Sequence, residues 1–264
     1  MCGILACFQR TTNETEFRNL VLKQSKLIRH RGPDWSGYKL QKTPKGLSMI
    51  CHERLSIIDP ISGAQPLFNK KKNLCLSTNG EIYNYKELQR IHFPDIQFST
   101  GSDCEVIIHL YEKYGIKKTT ELLDGIWSFV ISDEDTGDFV VSRDPIGITP
   151  LYYGHDIHNG FWVSSELKGL HKTCYDMEEF PPGHYYDSTS NSFHRYYNPI
   201  WINEEYTPPE STIELPDILS GIRHGLEKSV AKRMMTDVPF GVLLSGGLDS
   251  SIIASITNRY IKSH

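Results

Sequence analysis

The chain has 264 residues and a formal net charge of −4, with 39% hydrophobic and 23% charged residues. That is enough apolar material for a core without disulfide staples, and the charge gives no general polyanion-binding surface, so nucleic acid is excluded as an expected partner. No apolar run approaches the ~20 residues of a membrane helix, and the N-terminus lacks the basic and apolar regions of a signal peptide, which excludes a membrane too.

In chain order, the first ~200 residues read as short strands with helices interspersed. The strand Gly3–Phe8 opens the chain. A helix over Phe17–Arg29 follows, with Leu20, Val21, Leu27 and Ile28 as its apolar residues. Leu47–His52 and Leu74–Thr78 are the next strands. A second helix spans Ser102–Tyr114, with a Ser/Asp cap, an apolar face of Val106, Ile107, Leu110 and Tyr111, and a stop at Gly115. Trp127–Ser132, Phe139–Arg143 and Phe161–Ser165 complete the strands. Strands without regular βαβ alternation predict an α+β fold with antiparallel sheets.

Composition shifts near Pro199–Pro209. Residues 200–216 are polar, carry Pro208, Pro209 and Pro216, and read as a linker between a domain at 2–199 and the beginning of another at 217–264. Asp217–Thr236 has apolar residues at helical spacing. An apolar strand is expected at Val238–Leu244, then the loop Ser245-Gly-Gly-Leu-Asp-Ser-Ser251, then a helix over Ile252–Tyr260. Strand, glycine loop and helix open an α/β nucleotide-binding domain.

The six cysteines (Cys2, Cys7, Cys51, Cys75, Cys104, Cys174) form no CxxC pair. Neither a disulfide framework nor a zinc site is expected, and a reducing, cytoplasmic setting fits best. Cys2 stands apart. Methionine aminopeptidase removes Met1 when the next residue is small. That would leave Cys2 with a free α-amine of pKa about 7.7–8.0, a base on the same residue as the thiol. Met-Cys-Gly alone reads more readily as the start of an edge strand.

The ordered segments decide between these readings. Cys2-Gly-Ile4, His30-Arg-Gly-Pro-Asp34, Glu53-Arg-Leu-Ser-Ile-Ile-Asp59, Gly63-Ala-Gln-Pro-Leu67, Asn79-Gly-Glu-Ile-Tyr-Asn84 and Gly101-Ser-Asp-Cys-Glu105 occur in that order. Leu123-Asp-Gly125, Arg143-Asp-Pro-Ile-Gly-Ile-Thr-Pro-Leu-Tyr-Tyr153, Ser165-Glu-Leu-Lys168 and Pro181-Pro-Gly183 follow. Over essentially its whole length the chain resembles the glutamine-dependent asparagine synthetases, whose N-terminal part is a class II (Ntn-type) glutamine amidotransferase. The resemblance implies an αββα sandwich of antiparallel sheets, followed by the start of an α/β PP-loop ATP pyrophosphatase domain.

It also implies roles. Cys2 would be the nucleophile. Arg54 offers a planar fork for the α-carboxylate of glutamine, and Asp103 an anion for its α-ammonium. Read alone, Arg54 is better taken as a surface arginine, and Asp103 also reads as a helix cap. The side-chain amide of Asn79 and the N–H of Gly80 would form the oxyanion hole, although Asn-Gly by itself reads as a turn. Leu55, Ser56, Ile57, Ile58 and Glu81 would line the glutamine pocket. His30–Asp34 looks like a mobile loop over the site, with His30 structural. Before the Ser245–Ser251 loop, Leu243 would pack near adenosine, and in the loop Ser245, Gly246, Gly247, Asp249 and Ser250 would face pyrophosphate and Mg²⁺; no metal ligands are assigned.

The implied cofactors are ATP and Mg²⁺ for the synthetase half and none for the glutaminase half. The implied partners are glutamine, ATP and aspartate, and a homodimer is compatible with a sequence that does not fix oligomeric state. Only 13 residues follow Ser251, so the expectation is a truncated synthetase half and a chain that supports at most glutamine hydrolysis. The PP-loop argues against amidotransferases making phosphoribosylamine or glucosamine 6-phosphate, and Cys2 against a β-lactam-synthetase-like protein. A catalytically inactive regulatory module with the same fold stays open.

Overall fold

A computed structural model describes residues 1–202, 205–207 and 213–263. It divides into two compact units, Met1–Asn198 and Pro199–His264.

In the first unit the chain runs β1 (Gly3–Arg10), α1 (Glu14–Ser25), β2 (Trp35–Thr43), β3 (Gly46–Arg54), β4 (Leu67–Phe68) and β5 (Leu74–Ile82). It continues through α2 (Tyr85–His92), α3 (Glu105–Leu122), β6 (Gly125–Asp133), β7 (Phe139–Arg143), β8 (Tyr152–Asp156) and β9 (Phe161–Ser164). β10 (Cys174–Glu179), β11 (His184–Asp187) and β12 (Ser192–Arg195) close it. One six-stranded sheet has the order β10-β8-β9-β1-β3-β2 and the other β12-β11-β7-β6-β5-β4. The strand pairs are antiparallel.

Alternation along each strand explains the layering. On β1, Ile4, Ala6 and Phe8 join Ile50, Val130, Val141 and Val163 between the sheets. Leu5 and Cys7 point the other way and pack with Phe17 and Val21 of α1. On the far side, Leu76, Trp127 and Phe129 meet Val106, Ile107 and Leu110 of α3. Both faces of the central strands are covered, which is why β1 reads as an unbroken apolar run. The result is the αββα sandwich of antiparallel sheets.

Several boundaries differ from the sequence expectation. The first helix begins earlier, because the Asn13 side chain caps it by accepting from the N–H groups of Thr15 and Glu16. It gives way at Lys26–Arg31 to a 3₁₀ turn. The second helix starts at Glu105, and continues past Gly115, which takes φ +75° and kinks it rather than ending it. β5 runs on through Asn79-Gly80, so this dipeptide is strand and not turn. A Cβ on Gly80 would lie 2.1 Å from the carbonyl oxygen of Ile126, so glycine is demanded by the close approach of β6.

The second unit contains α4 (Leu215–Ala231) and α5 (Leu248–Ser263). Pro216 sits in the first turn of α4, where its missing N–H costs nothing. Pro208 and Pro209 of the expected linker lie outside the described residues. Val238–Leu244 is not a strand. Among the described residues this unit offers no strand to pair with it, and a lone extended segment has no ladder to stabilise it. Leu219, Ile222, Leu243 and Leu244 are exposed.

The rings of Phe8 and Phe139 stack between the sheets with centroids 4.1 Å apart. Phe8→Ala should lower unfolding stability by about 3–5 kcal/mol, read as a reduced denaturation midpoint in urea.

Candidate active site

The site lies where strand ends of the two sheets converge. Pairing of Gly3 with Glu53 brings the residue before β1, Cys2, against the chain leaving β3. Its Sγ lies 3.3 Å from the N–H of Leu55 and 3.5 Å from the Leu55 carbonyl. From the opposite sheet, β5 carries Thr78, Asn79, Gly80 and Glu81 to the same place, and the turn before α3 adds Ser102 and Asp103. Together with Met1, Arg54, Leu55, Ile57, Ile58, Gly63, Gln65, Cys104 and Ile126, these residues line one cleft.

Of the sequence-predicted site residues, Cys2, Arg54, Leu55, Ile57, Ile58, Asn79, Gly80, Glu81 and Asp103 all line this cleft. Ser56 does not. Its N–H turns to the carboxylate of Asp34 at 2.8 Å. Met1, Gly63, Gln65, Thr78, Ser102, Cys104 and Ile126 line the cleft but were not singled out. Gly63 and Gln65 stand inside a quoted motif, and a Cβ on Gly63 would meet the Arg54 guanidinium at 2.6 Å. The segment expected as a mobile loop is tied down: Arg31 Nε donates to the Cys2 carbonyl at 2.8 Å, and both Arg31 and His30 reach Glu166.

Arg54 is buried, and its guanidinium donates to the carbonyls of Ile58, Asp59 and Pro60. These carbonyls hold the fork in place. Asp103 is buried and accepts from the N–H of Ile82 at 2.7 Å, but burial still pushes its carboxyl up to about 6. Asn79 is 1% exposed, and among the described residues neither its Nδ2 nor its Oδ1 has a partner. An unsatisfied buried amide costs about 1–3 kcal/mol per group, a cost a ligand in the cleft would relieve. Burial also holds the Cys2 thiol above its usual range, while the terminal ammonium and Arg54 pull it down. With Met1 in place the chain's amine belongs to Met1, and the nitrogen of Cys2 is a peptide amide.

In the second unit, Gly246 takes φ +86° and turns the chain into α5. The Ser245 and Ser250 hydroxyls lie 3.0 Å apart, and Ser250 also donates to the Gly247 carbonyl. Exposed glycine amides and serine hydroxyls at a helix start, with Asp249 in its first turn, are a donor set that fits a phosphate and its cation. Leu243 is 95% exposed.

The model of the glutamine amidotransferase domain matches residues 1–196, and that of asparagine synthase matches 221–264. The chain belongs to the glutamine amidotransferase domain family. Glutamine-hydrolyzing asparagine synthetase 1 of Lotus japonicus is 49% identical over 261 residues, covering 99% of this chain and 42% of the relative. The corresponding enzyme of Arabidopsis thaliana is 49% identical over 263 residues, covering 99% and 43%. The chain thus spans less than half the length of these relatives. Among solved structures, an allosteric regulatory enzyme of purine biosynthesis matches with a TM-score of 0.63 at 22% identity, over 97% of this chain and 63% of that one. The glutamine phosphoribosylpyrophosphate amidotransferase of B. subtilis matches with 0.61 at 21%, over 98% and 64%. At such identities these two share the fold. Among the described residues no helix is long and apolar enough to cross a membrane.

Asp103 gives a pH signature. Folded, its carboxyl binds a proton near pH 6; unfolded, near 3.8. The folded chain therefore holds more protons between these values, so this group opposes folding at pH 7 and ceases to below about pH 4. Asp103→Asn, which keeps an acceptor for Ile82, should be more stable than wild type at pH 7, and the gain should vanish on titration to pH 4. Thermal melts across that range check it.

Proposed function

We propose that the first unit is a glutaminase and that this chain carries the glutamine-hydrolysing part of an asparagine synthetase. The single observation that carries this reading is the convergence of Cys2, Arg54, Asn79 and Asp103 in one cleft. A buried planar guanidinium, a carboxyl raised by burial and a side-chain amide without hydrogen-bond partners among the described residues match the three polar ends of glutamine: α-carboxylate, α-ammonium and carboxamide.

With Met1 removed, the α-amine of Cys2 accepts the thiol proton. The thiolate attacks the carboxamide carbon, and the negative charge moves to the oxygen, stabilised by the Asn79 amide and the Gly80 N–H. Collapse of this tetrahedral intermediate breaks the C–N bond, and the ammonium of Cys2 returns its proton to the leaving ammonia. Water then attacks the thioester, with the amine again as base, and releases glutamate and the thiol. Arg54 and Asp103 hold the amino-acid end fixed so that the carboxamide meets the sulfur in line.

The reading extends to the second unit. Leu243, Ser245, Gly246, Gly247, Asp249 and Ser250 would hold ATP and Mg²⁺, whose chemistry is activation of the aspartate carboxylate for amidation by the released ammonia. The free cysteines suit a reducing, cytoplasmic setting.

Glutaminase assay of the purified protein tests the proposal. Cys2→Ala should reduce ammonia release from glutamine to the uncatalysed background; release equal to wild type would leave the inactive regulatory module as the better reading. Arg54→Lys, which keeps the charge but loses the planar fork, should raise KM for glutamine about tenfold or more with a smaller effect on kcat.

A further inference from the structure

One buried titratable group near the cleft has no part in this chemistry. His52 lies in β3 and is fully buried, and its Nδ1 stands 2.9 Å from Oγ of Ser77, equally buried in β5. β3 and β5 belong to different sheets, so this hydrogen bond crosses the space between them. Its position matters more than its energy. Two residues along a strand return to the same face, so His52 shares its face with Arg54, and Ser77 shares its face with Asn79. The bond therefore ties the two sheets one step below the residues that would grip the two ends of the substrate.

Other parts of the cleft are fixed from elsewhere. Arg54 is clamped by the 58–60 carbonyls, and Asp103 is pinned by Ile82. The Asn79 side chain has no hydrogen-bond partner of its own among the described residues, so the course of β5 alone decides where its amide points. Burial also lowers the His52 imidazole to about 3, which keeps it neutral and unsuited to moving protons at working pH.

We infer that His52 is a positioning residue: through Ser77 it sets the distance between the guanidinium of Arg54 and the amide of Asn79. This rests on the glutaminase reading. Loss of the tie should spare ground-state binding, which Arg54 and Asp103 provide, and should weaken stabilisation of the oxyanion, which demands placement within about an ångström.

The test measures kcat and KM for glutamine in wild type, Cys2→Ala, Ser77→Ala, His52→Leu, the Ser77→Ala/His52→Leu double variant and His52→Asn, with folding checked by circular dichroism. Ser77→Ala should lower kcat about 10-fold to 100-fold with KM within about twofold of wild type. The double variant should be no worse than the worse single, because both break one interaction. His52→Asn, whose amide can reach Ser77 as Nδ1 does, should recover most of kcat. If His52→Leu does not fold, Ser77→Ala, which deletes a single oxygen, decides. Folded Ser77→Ala with wild-type kcat, a rise in KM alone, or additive losses in the double variant would overturn the inference. Wild type no more active than Cys2→Ala would instead remove the glutaminase reading, and this inference with it.

Discussion

The register of β1 on β3 is the constraint on which the cleft depends. Gly3 faces Glu53, and that pairing sets Cys2 against Leu55 and beside Arg54. A slip of one residue would reverse every side chain on β1. Ile4, Ala6 and Phe8 would leave the space between the sheets, and Leu5 and Cys7 would enter it. The core therefore enforces a register whose by-product is the position of the thiol. The second sheet works the same way: Asn79 faces Ser128 and Gly80 faces Trp127, with glycine at the closest backbone approach.

The polar groups of the cleft are each held in a state that folding alone does not favour. A buried guanidinium is surrounded by carbonyls, a carboxyl is pushed toward its neutral form, and a side-chain amide is left without partners. Any one of these would be a defect in a core. In the proposed reading they form a set that a zwitterionic amide would satisfy at once, so that stability given up at the site would become binding selectivity. The apolar layers on both faces of the sheets supply the stability that permits it.

Much of the sandwich was legible because its central strands are apolar on both faces: β1, β3, β6, β7 and β9 stand out as runs. β10 and β12 did not, since Cys174–Glu179 and Ser192–Arg195 are polar strands at sheet edges. The site was legible only through the ordered set of motifs. Arg54 has no local signal that separates it from a surface arginine, and Asn79-Gly80 gives the signal of a turn while lying inside a strand. Ser56 lies outside the cleft because the irregular chain after β3 is tied at its N–H to Asp34, a contact that adjacency in sequence does not report. Val238–Leu244 has the composition of a strand, but a strand exists only with a neighbour, which no local pattern can report.

The proposed chemistry puts the general base on the same residue as the nucleophile, and this can be tested without substituting any side chain of the proposed machinery. The protein would be prepared once with Met1 removed and once with Met1 retained, each form verified by intact mass, and ammonia release from glutamine measured for both. The account predicts turnover by the chain that begins at Cys2 and a loss of about 100-fold or more when Met1 blocks the amine. Equal release from the two forms would contradict it.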